Sequence, residues 1–182
     1  MLGAMTADES ASGVVPPPRD PAEPYRICMV CLGNICRSPT AEVVLRDKLQ
    51  AAGLDGKVIV DSAGMGDWHL DEPMHPEARA ELAKHGLDAT GHRARQMESA
   101  WLPGYDLVLA MDQRNLAGLQ RLADSQDGLA GRIQLMLAFD PESAPGAEVP
   151  DPYEGKPEDF VRVYELVSAA AEGVARQLAG ML

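Results

Sequence analysis

The stretch Cys31-Leu-Gly-Asn-Ile-Cys-Arg-Ser-Pro39 decides the fold predicted for this chain. Before it stands Tyr25-Arg-Ile-Cys-Met-Val30, which is short, apolar and rich in residues that favour β-strands. After it, apolar residues recur at helical spacing over residues 40–49, and Ser38-Pro39 is typical of an N-cap followed by the first residue of a helix. The stretch is therefore predicted to be a strand-to-helix loop, where the free N–H groups of the helix N-terminus favour an anion.

This loop carries the residue types that phosphoryl transfer to a thiol requires. Cys31 and Arg37 are separated by five residues, a spacing that lets one loop surround a tetrahedral oxyanion. Successive backbone N–H groups would point at the phosphate oxygens, and Arg37 would close the ring with two hydrogen bonds. The N–H groups and the guanidinium are expected to favour the thiolate form of Cys31. A thiolate beneath a bound phosphoryl group is placed for in-line attack on phosphorus. Gly33 and Asn34 are predicted to allow a positive φ in the turn.

The specificity of the motif comes from its surroundings. A cysteine and an arginine at this spacing occur by chance in many chains, and a lone cysteine after a strand is more often a buried structural thiol. The preceding strand, the following helix and the Gly-Asn pair inside the loop make that alternative improbable. In this context, residues 30–39 closely resemble the phosphate-binding loop of the low-molecular-weight protein tyrosine phosphatases.

The resemblance extends along the chain. Later motifs follow in that family's order: Asp61-Ser-Ala-Gly64, Gly66-Asp-Trp-His69, His92-Arg-Ala-Arg95, Met111-Asp112 with Asn115, and Asp151-Pro-Tyr153. It covers roughly residues 25–180. It implies a phosphoric monoester hydrolase, specifically a protein tyrosine phosphatase, that works without a cofactor through a phosphocysteine intermediate on Cys31.

The chain is predicted to form one α/β domain behind an N-terminal tail. Residues 1–24 are rich in Pro and Ala and are predicted to be disordered, whereas residues 25–182 form the phosphatase domain. Strands alternate with helices, and the last helix is predicted at about 157–177. This alternation predicts a doubly wound parallel sheet of four strands flanked by helices, and the resemblance implies the flavodoxin-like, phosphotyrosine phosphatase I-like version of it. Ligands bind such sheets beyond the carboxyl ends of the strands, where Cys31 is placed.

A second loop supplies a candidate acid. The sequence Val149-Pro-Asp151-Pro-Tyr153 follows the last predicted strand and so belongs to the same edge of the sheet. Expulsion of a tyrosyl oxygen from phosphorus is helped by an acid that protonates it. An aspartate before a proline is often only a turn residue. The resemblance assigns Asp151 as the general acid, which then acts as the base that activates water on the phosphocysteine.

The remaining candidates bind substrate or support the loop. The predicted substrate-binding residues are Leu32, Gly33, Asn34, Ile35, Cys36, Ser38, Trp68 and Tyr153. Trp68 lies in a polar loop and suits stacking on an aromatic ring, with partial burial as a packing residue as the alternative. Ser38 is expected to donate its hydroxyl to the thiolate as well as to cap the helix.

Three further residues are expected to support the loop. By resemblance, Ser62 and His92 join Asn34 in a hydrogen-bond network that holds the loop. Asp112 either orients Arg37 or caps its own helix, and the resemblance places it near the site.

Composition limits the partners. The net charge of −12 at pH 7 argues against nucleic acids and anionic membranes as partners. The expected partners are phosphotyrosine-containing proteins, with inhibition by phosphate-like oxyanions and a monomeric or weakly dimeric state. Asp71-Glu72 makes the substrate rim acidic, which is expected to disfavour acidic phosphopeptides.

Cysteine and histidine usage indicates the compartment and the absence of a metal requirement. All three cysteines lie between Cys28 and Cys36, which fits a reducing, cytoplasmic compartment better than a disulfide framework. No apolar run is long enough for membrane insertion. His69, His75 and His85 show no ligand spacing, so no metal is predicted.

Three other functions remain as alternatives. A phosphoarginine phosphatase on the same scaffold is the nearest, but the family's arginine-specific members carry a small threonine where this chain has Ile35. Arsenate reductase needs two further downstream cysteines, and none follows Cys36. A phosphate-binding pseudoenzyme would lack Cys31 or Asp151, and this chain has both.

Overall fold

The computed structural model describes residues 12–124 and 126–182. The strands are Tyr25–Cys31 (β1), Val58–Gly64 (β2), Leu107–Ala110 (β3) and Ile133–Leu135 (β4). The helices are Arg37–Ala51 (α1), Pro76–Lys84 (α2), Gln113–Ala123 (α3) and Pro157–Met181 (α4), with 3₁₀ turns at Ser99–Gly104 and Met136–Phe139. The four strands form one parallel sheet in the order β2-β1-β3-β4. The predicted α/β fold with a four-stranded parallel sheet is confirmed.

Both faces of the sheet are buried, and β1 shows why its sequence is almost continuously apolar. Ile27 and Met29 pack into the layer formed with α1, α2 and α4. Cys28 and Val30 point the other way, into the layer formed with α3. Cys28 is completely buried in this second layer.

The strand order places a crevice at the carboxyl end of β1. β1 pairs with β2 on one side and with β3 on the other. The connections that leave β1 and β3 therefore diverge, and loops at such a reversal of strand order leave room for a ligand. The loop of residues 32–36 begins here. The segment after β3 is tied alongside, because the Met111 N–H donates to the Val30 carbonyl at 3.0 Å.

Helix α1 begins earlier than its sequence suggests. Its first residue is Arg37, and its N-cap is Cys36, which makes no side-chain capping bond. Ser38 lies inside the first turn, so its prediction as the N-cap is wrong. The reason is that its hydroxyl is used by the loop, where it lies 3.0 Å from the Cys31 Sγ and accepts a hydrogen bond from the Asn34 side chain.

Helix α4 is longer than predicted and runs to Met181. Its buried stripe, which includes Phe160, Val167 and Leu178, packs against the same core layer as α1. Within the described ranges, no helix is both long enough and apolar enough to cross a membrane.

The described part of the N-terminal segment packs on the domain, contrary to the prediction of disorder. Val15 is buried, and its N–H donates to the Gln177 side chain at 2.8 Å. Arg19 forms an ion pair with the buried carboxylate of Asp106 at 3.2 Å. Composition alone cannot reveal these contacts, because their partners lie far away in sequence. Residues 1–11 of the predicted tail lie outside the described residues.

Candidate active site

The Cys31 thiol lies at the end of β1 with hydrogen-bonding groups around it. Its Sγ is 3.0 Å from the Ser38 Oγ, and it accepts the Asn34 main-chain N–H at 3.3 Å. The residue is only 3% exposed, yet it lines a cavity that opens to solvent. These two contacts hold the sulfur at the end of β1, where it faces the cavity.

Asn34 is the centre of the network under the loop. Its φ of 58° is left-handed, as predicted, and its side chain is completely buried. The amide nitrogen donates to the hydroxyls of Ser38 and Ser62, both at 2.9 Å. Its main-chain carbonyl accepts from the His92 Nε2 at 2.6 Å. The structure therefore brings together the residues that were predicted to support the loop.

Two members of this network were missed from sequence. Glu42, on α1, accepts the hydroxyl hydrogen of Ser62. Arg95 donates its main-chain N–H to the Asn34 Oδ1 at 3.0 Å and its Nε–H to the Ser62 carbonyl at 2.9 Å. Arg95 stands in a quoted motif, but its contact with Asn34 is made by the main chain, so no side-chain pattern indicates it.

Burial favours the neutral form of His92. Desolvation lowers its pKa from the ordinary 6.5, although the hydrogen bond to Asn34 and the charge of Glu42 oppose that effect. A neutral imidazole with its hydrogen on Nε2 is the form that donates to the Asn34 carbonyl.

Arg37 connects the loop to the segment after β3 and to the loop of residues 149–153. Its guanidinium donates to the Asp112 Oδ2 at 2.7 Å and to the Val149 carbonyl at 3.1 Å, and it lies 3.5 Å from the Asp151 Oδ2. Burial opposes its charge, but Cys31 and the two carboxylates outweigh this effect and raise its pKa. Arg37 is therefore a permanent buried cation.

Asp112 has both of the roles considered for it. One carboxylate oxygen accepts from Arg37, and the other accepts the Asn115 N–H at 2.8 Å as the N-cap of α3. The single side chain thus fixes the direction of the guanidinium relative to a helix.

A cavity of about 170 Å³ joins these groups. It is lined by Cys31, Leu32, Gly33, Ile35, Cys36, Arg37, Trp68, His69, Asp151 and Tyr153. Trp68 is 66% exposed, so it is not a packing residue. Asn34 and Ser38 are completely buried beneath the lining and do not face the cavity.

Gly33 lies close to the His69 ring and does not have the positive φ predicted for it. Its φ is not positive, whereas that of Asn34 is. A Cβ at Gly33 would lie 2.9 Å from the His69 Cδ2, so the histidine ring packs directly on the loop backbone. His69, which showed no ligand spacing in the sequence, is thereby identified as part of the cavity wall.

Asp151 reaches the cavity from the loop after β4. Its side chain is 45% exposed, and its Oδ1 accepts the Tyr153 N–H at 3.1 Å. The loop is held near β3 because the Val149 N–H donates to the Met111 carbonyl at 2.8 Å. A carboxyl group therefore shares one small cavity with the thiol and the guanidinium.

The surroundings of Cys28 and Cys36 favour the protonated thiol. Burial, followed by the nearby charges of Cys31 and Asp151, raises the pKa of Cys36 to about 12. Burial also raises the pKa of Cys28 well above its ordinary value. Both groups therefore remain protonated thiols near neutral pH.

Comparison with known proteins identifies the family. The family model described as "Low molecular weight phosphotyrosine protein phosphatase" matches residues 26–181. The chain belongs to this family. A low-molecular-weight protein-tyrosine-phosphatase of Streptomyces coelicolor is 44% identical over 151 residues, which cover 82% of this chain and 91% of the relative.

Solved structures of low-molecular-weight phosphatases share the fold. The protein tyrosine phosphatase of Entamoeba histolytica, solved with Hepes in its active site, has a TM-score of 0.80 at 31% identity and covers 87% of this chain and 99% of its own. The tyrosine phosphatase Wzb of Escherichia coli K30, in complex with sulphate, has a TM-score of 0.72 at 35% identity, covering 84% of this chain and 97% of its own.

Proposed function

We propose that this phosphatase hydrolyses phosphotyrosine in proteins, and small aryl phosphates, through a phosphocysteine intermediate. Cys31 is the nucleophile, Arg37 binds the phosphoryl oxygens, and Asp151 is the general acid and then the general base. The observation that carries the proposal is the presence of a thiol, a buried guanidinium and a carboxyl group in one cavity of about 170 Å³. These are the groups that nucleophilic displacement at phosphorus requires.

In the first step, the thiolate of Cys31 attacks phosphorus and a sulfur–phosphorus bond forms. The bond from phosphorus to the tyrosyl oxygen breaks, and Asp151 gives its proton to that oxygen. Arg37 stabilises the phosphoryl charge with parallel N–H groups. Its contact with Asp112 at 2.7 Å supports this role, because it holds the guanidinium plane in one orientation.

In the second step, water replaces the sulfur on phosphorus. Asp151, now a carboxylate, takes a proton from the attacking water, and the sulfur leaves as a thiolate. The Ser38 hydroxyl, 3.0 Å from the Cys31 Sγ, supports this step because it can donate a hydrogen bond to the departing sulfur. Inorganic phosphate is then released.

The cavity walls favour an aromatic substrate. Leu32, Trp68 and Tyr153 stand exposed at the mouth, and Ile35 lies deeper in the cavity. A flat ring fits between apolar walls, and stacking on Trp68 adds binding energy. The bulk of Ile35 is also the feature that favours a phosphotyrosyl ring over a phosphoarginyl group.

The proposal also includes inhibition by oxyanions, the class of partner, the oligomeric state and the cellular location. The sulphate complex of the E. coli relative supports inhibition by phosphate-like oxyanions. The candidate site is formed within one chain, which supports a monomer or weak dimer as the active form. The net charge of −12 supports phosphoproteins over nucleic acids or anionic membranes, and the three free cysteines support a cytoplasmic location.

The test is steady-state hydrolysis of an aryl phosphate, a phosphotyrosine peptide and a phosphoarginine peptide, with a chelator present. Cys31→Ser is expected to abolish turnover, and Asp151→Asn is expected to slow it by about 10²–10⁴-fold. The matched control is Asp127→Asn, which changes an exposed loop aspartate outside the cavity lining. The turnover of this variant should equal that of the wild type.

The outcomes separate the mechanism from the choice of substrate. Turnover that persists in Cys31→Ser would contradict the mechanism. A wild type that is active on phosphoarginine and inert on phosphotyrosine would contradict the substrate while leaving the mechanism in place. Thermal melts of each variant establish that the loss of turnover is not loss of the fold.

A further inference from the structure

A groove of about 470 Å³ adjoins the catalytic cavity. The two share Ile35, His69 and Tyr153 in their walls. Beyond Tyr153 the groove continues to the start of α2, where its lining includes His75 and Arg79. When the phosphotyrosine of a peptide occupies the cavity, the neighbouring residues of that peptide can lie in this groove.

Arg79 is an unused cation in this groove. No acidic side chain of the described residues lies within ion-pair distance of it, whereas eleven such pairs form elsewhere in those residues, two of them at Arg37. Its Nε is buried and has no hydrogen-bond partner in the described structure. The side chain lines the groove, and no hydrogen bond from its terminal nitrogens is formed within the described residues, so those N–H groups are available to an acceptor on a ligand there.

Two carboxylates of this region are committed to other partners. Glu72 lies 2.8 Å from the His69 Nδ1. Glu81, on the same helix as Arg79, is paired with Lys84 at 3.1 Å and lies 3.0 Å from the His85 ring. Of the acidic rim expected from the sequence, Glu72 is therefore held against the His69 ring rather than directed at Arg79.

The walls of the groove are held by stacked rings. His75 stacks on Phe160 with ring centres 4.9 Å apart and meets Tyr153 edge-on at 5.9 Å. Tyr153 in turn contacts the His69 ring at 5.5 Å. A wall that is already ordered loses little conformational freedom when a ligand binds.

We propose that this groove is a specificity site for an anionic side chain close to the phosphotyrosine, with Arg79 as the residue that binds it. The planar guanidinium suits a carboxylate or a phosphate, because it can donate two parallel hydrogen bonds to either group. The inference rests on the proposed phosphotyrosine activity and reverses the expectation that acidic phosphopeptides are disfavoured. Arg79 selects the substrate and takes no part in the chemical steps.

The test compares matched phosphotyrosine peptides that carry one Glu or one Gln at each position within three residues of the phosphotyrosine. A third set carries phosphoserine at the preferred position and distinguishes a phosphate from a carboxylate as the better ligand. Wild type is expected to show a kcat/KM about three- to tenfold higher for the Glu peptide at one or more positions. Arg79→Ala should remove that preference, and Arg79→Lys should retain part of it.

Two controls identify the origin of any effect. Hydrolysis of a small aryl phosphate, which does not reach the groove, should be unchanged in Arg79→Ala. Arg176→Ala removes an exposed positive charge near the C-terminal end of α4, outside the groove lining, and should leave the Glu preference intact.

Equal rates for Glu and Gln peptides in wild type, or a Glu preference that survives in Arg79→Ala, would overturn the groove proposal alone. A wild type that hydrolyses aryl phosphate but no phosphotyrosine peptide would contradict the proposed substrate class and, with it, this inference.

Discussion

The floor and the mouth of the catalytic cavity are built on opposite principles. The floor is the loop of residues 31–38 with its buried network, in which the side-chain amide of Asn34 has all its hydrogen-bonding groups occupied. The mouth is formed by exposed side chains such as Trp68 and Tyr153. Within the described residues, neither of these side chains forms a hydrogen bond. A rigid, desolvated floor fixes the geometry of the chemistry, because reorganisation at the moment of reaction would be costly. The exposed side chains of the mouth surround the entrance to the cavity, and they determine which substrate enters.

The largest expected effect concerns the floor, where the two thiols Cys31 and Cys36 should differ in their rates of alkylation. Near neutral pH, iodoacetamide is expected to alkylate Cys31 about 10³-fold faster than Cys36, because only the thiolate reacts and the raised pKa of Cys36, about 12, keeps that group protonated. Peptide mapping by mass spectrometry over a time course measures both rates. Inorganic phosphate in the cavity should protect Cys31. Comparable labelling of the two thiols would contradict the protonated state assigned to Cys36.

Breaking the network under the loop should cost both activity and stability. Asn34→Asp keeps the side-chain oxygen that accepts from Arg95 but loses the two donors to Ser38 and Ser62. We expect kcat to fall about 10²-fold and the free energy of unfolding to fall by about 2–4 kcal/mol, since a buried charge and unpaired hydroxyls result. Enzyme assays and urea unfolding measure the two effects.

The matched control for that variant is Asn115→Ala. Asn115 is also a buried asparagine, but its side-chain oxygen has no hydrogen-bond partner in the described structure, and its capping bond with Asp112 uses the main chain. It should leave kcat near the wild-type value. An Asn34→Asp enzyme of full activity would show that the network is not needed for the chemistry.

His92 links the floor to pH. Burial lowers its pKa in the folded state below the ordinary 6.5, so the unfolded chain binds a proton more readily. The free energy of unfolding should therefore decrease as the pH falls below about 6.5, until the folded-state pKa of His92 is passed. Urea unfolding of wild type and His92→Gln across this range isolates the contribution, because glutamine keeps a donor for the Asn34 carbonyl. Parallel pH curves for the two proteins would contradict the assignment.

At the mouth, the expected effects are the smallest. Trp68→Ala removes one exposed wall and should raise KM for an aryl phosphate about 3–10-fold, with little change in kcat, because ring stacking contributes to binding alone. Leu70→Ala, on the same loop and also exposed but outside the cavity lining, is the matched control. A large fall in kcat in Trp68→Ala would show that the mouth also positions the phosphoryl group.

The same division explains what could be predicted from sequence. The sheet and the thiol loop follow from local patterns, since strand, turn and helix signals are all contiguous around Cys31. The candidate acid, Asp151, and the support from Ser62 and His92 depended on family resemblance, because their partners are distant in the chain. Contacts made by main-chain atoms or by close packing carry no signal, which is why Arg95 and the packing of His69 on Gly33 were missed.

Two local predictions failed because a tertiary contact took precedence over the local preference of the sequence. Ser38 was expected to cap a helix, but its hydroxyl serves the thiol and Asn34. The N-terminal segment has the composition of a disordered tail, but Val15 finds a buried position against Gln177 of α4. In both cases a tertiary contact replaced the local preference.

The central claim is that phosphoryl transfer passes through Cys31. The most direct measurement is to mix the Asp151→Asn enzyme with an aryl phosphate, quench it rapidly in acid and locate the phosphoryl group by peptide mass spectrometry. The account predicts one phosphoryl group on Cys31, accumulating because the base for hydrolysis is missing, and none in Cys31→Ser. A phosphoryl group on another residue, or turnover of the aryl phosphate by Cys31→Ser, would contradict it.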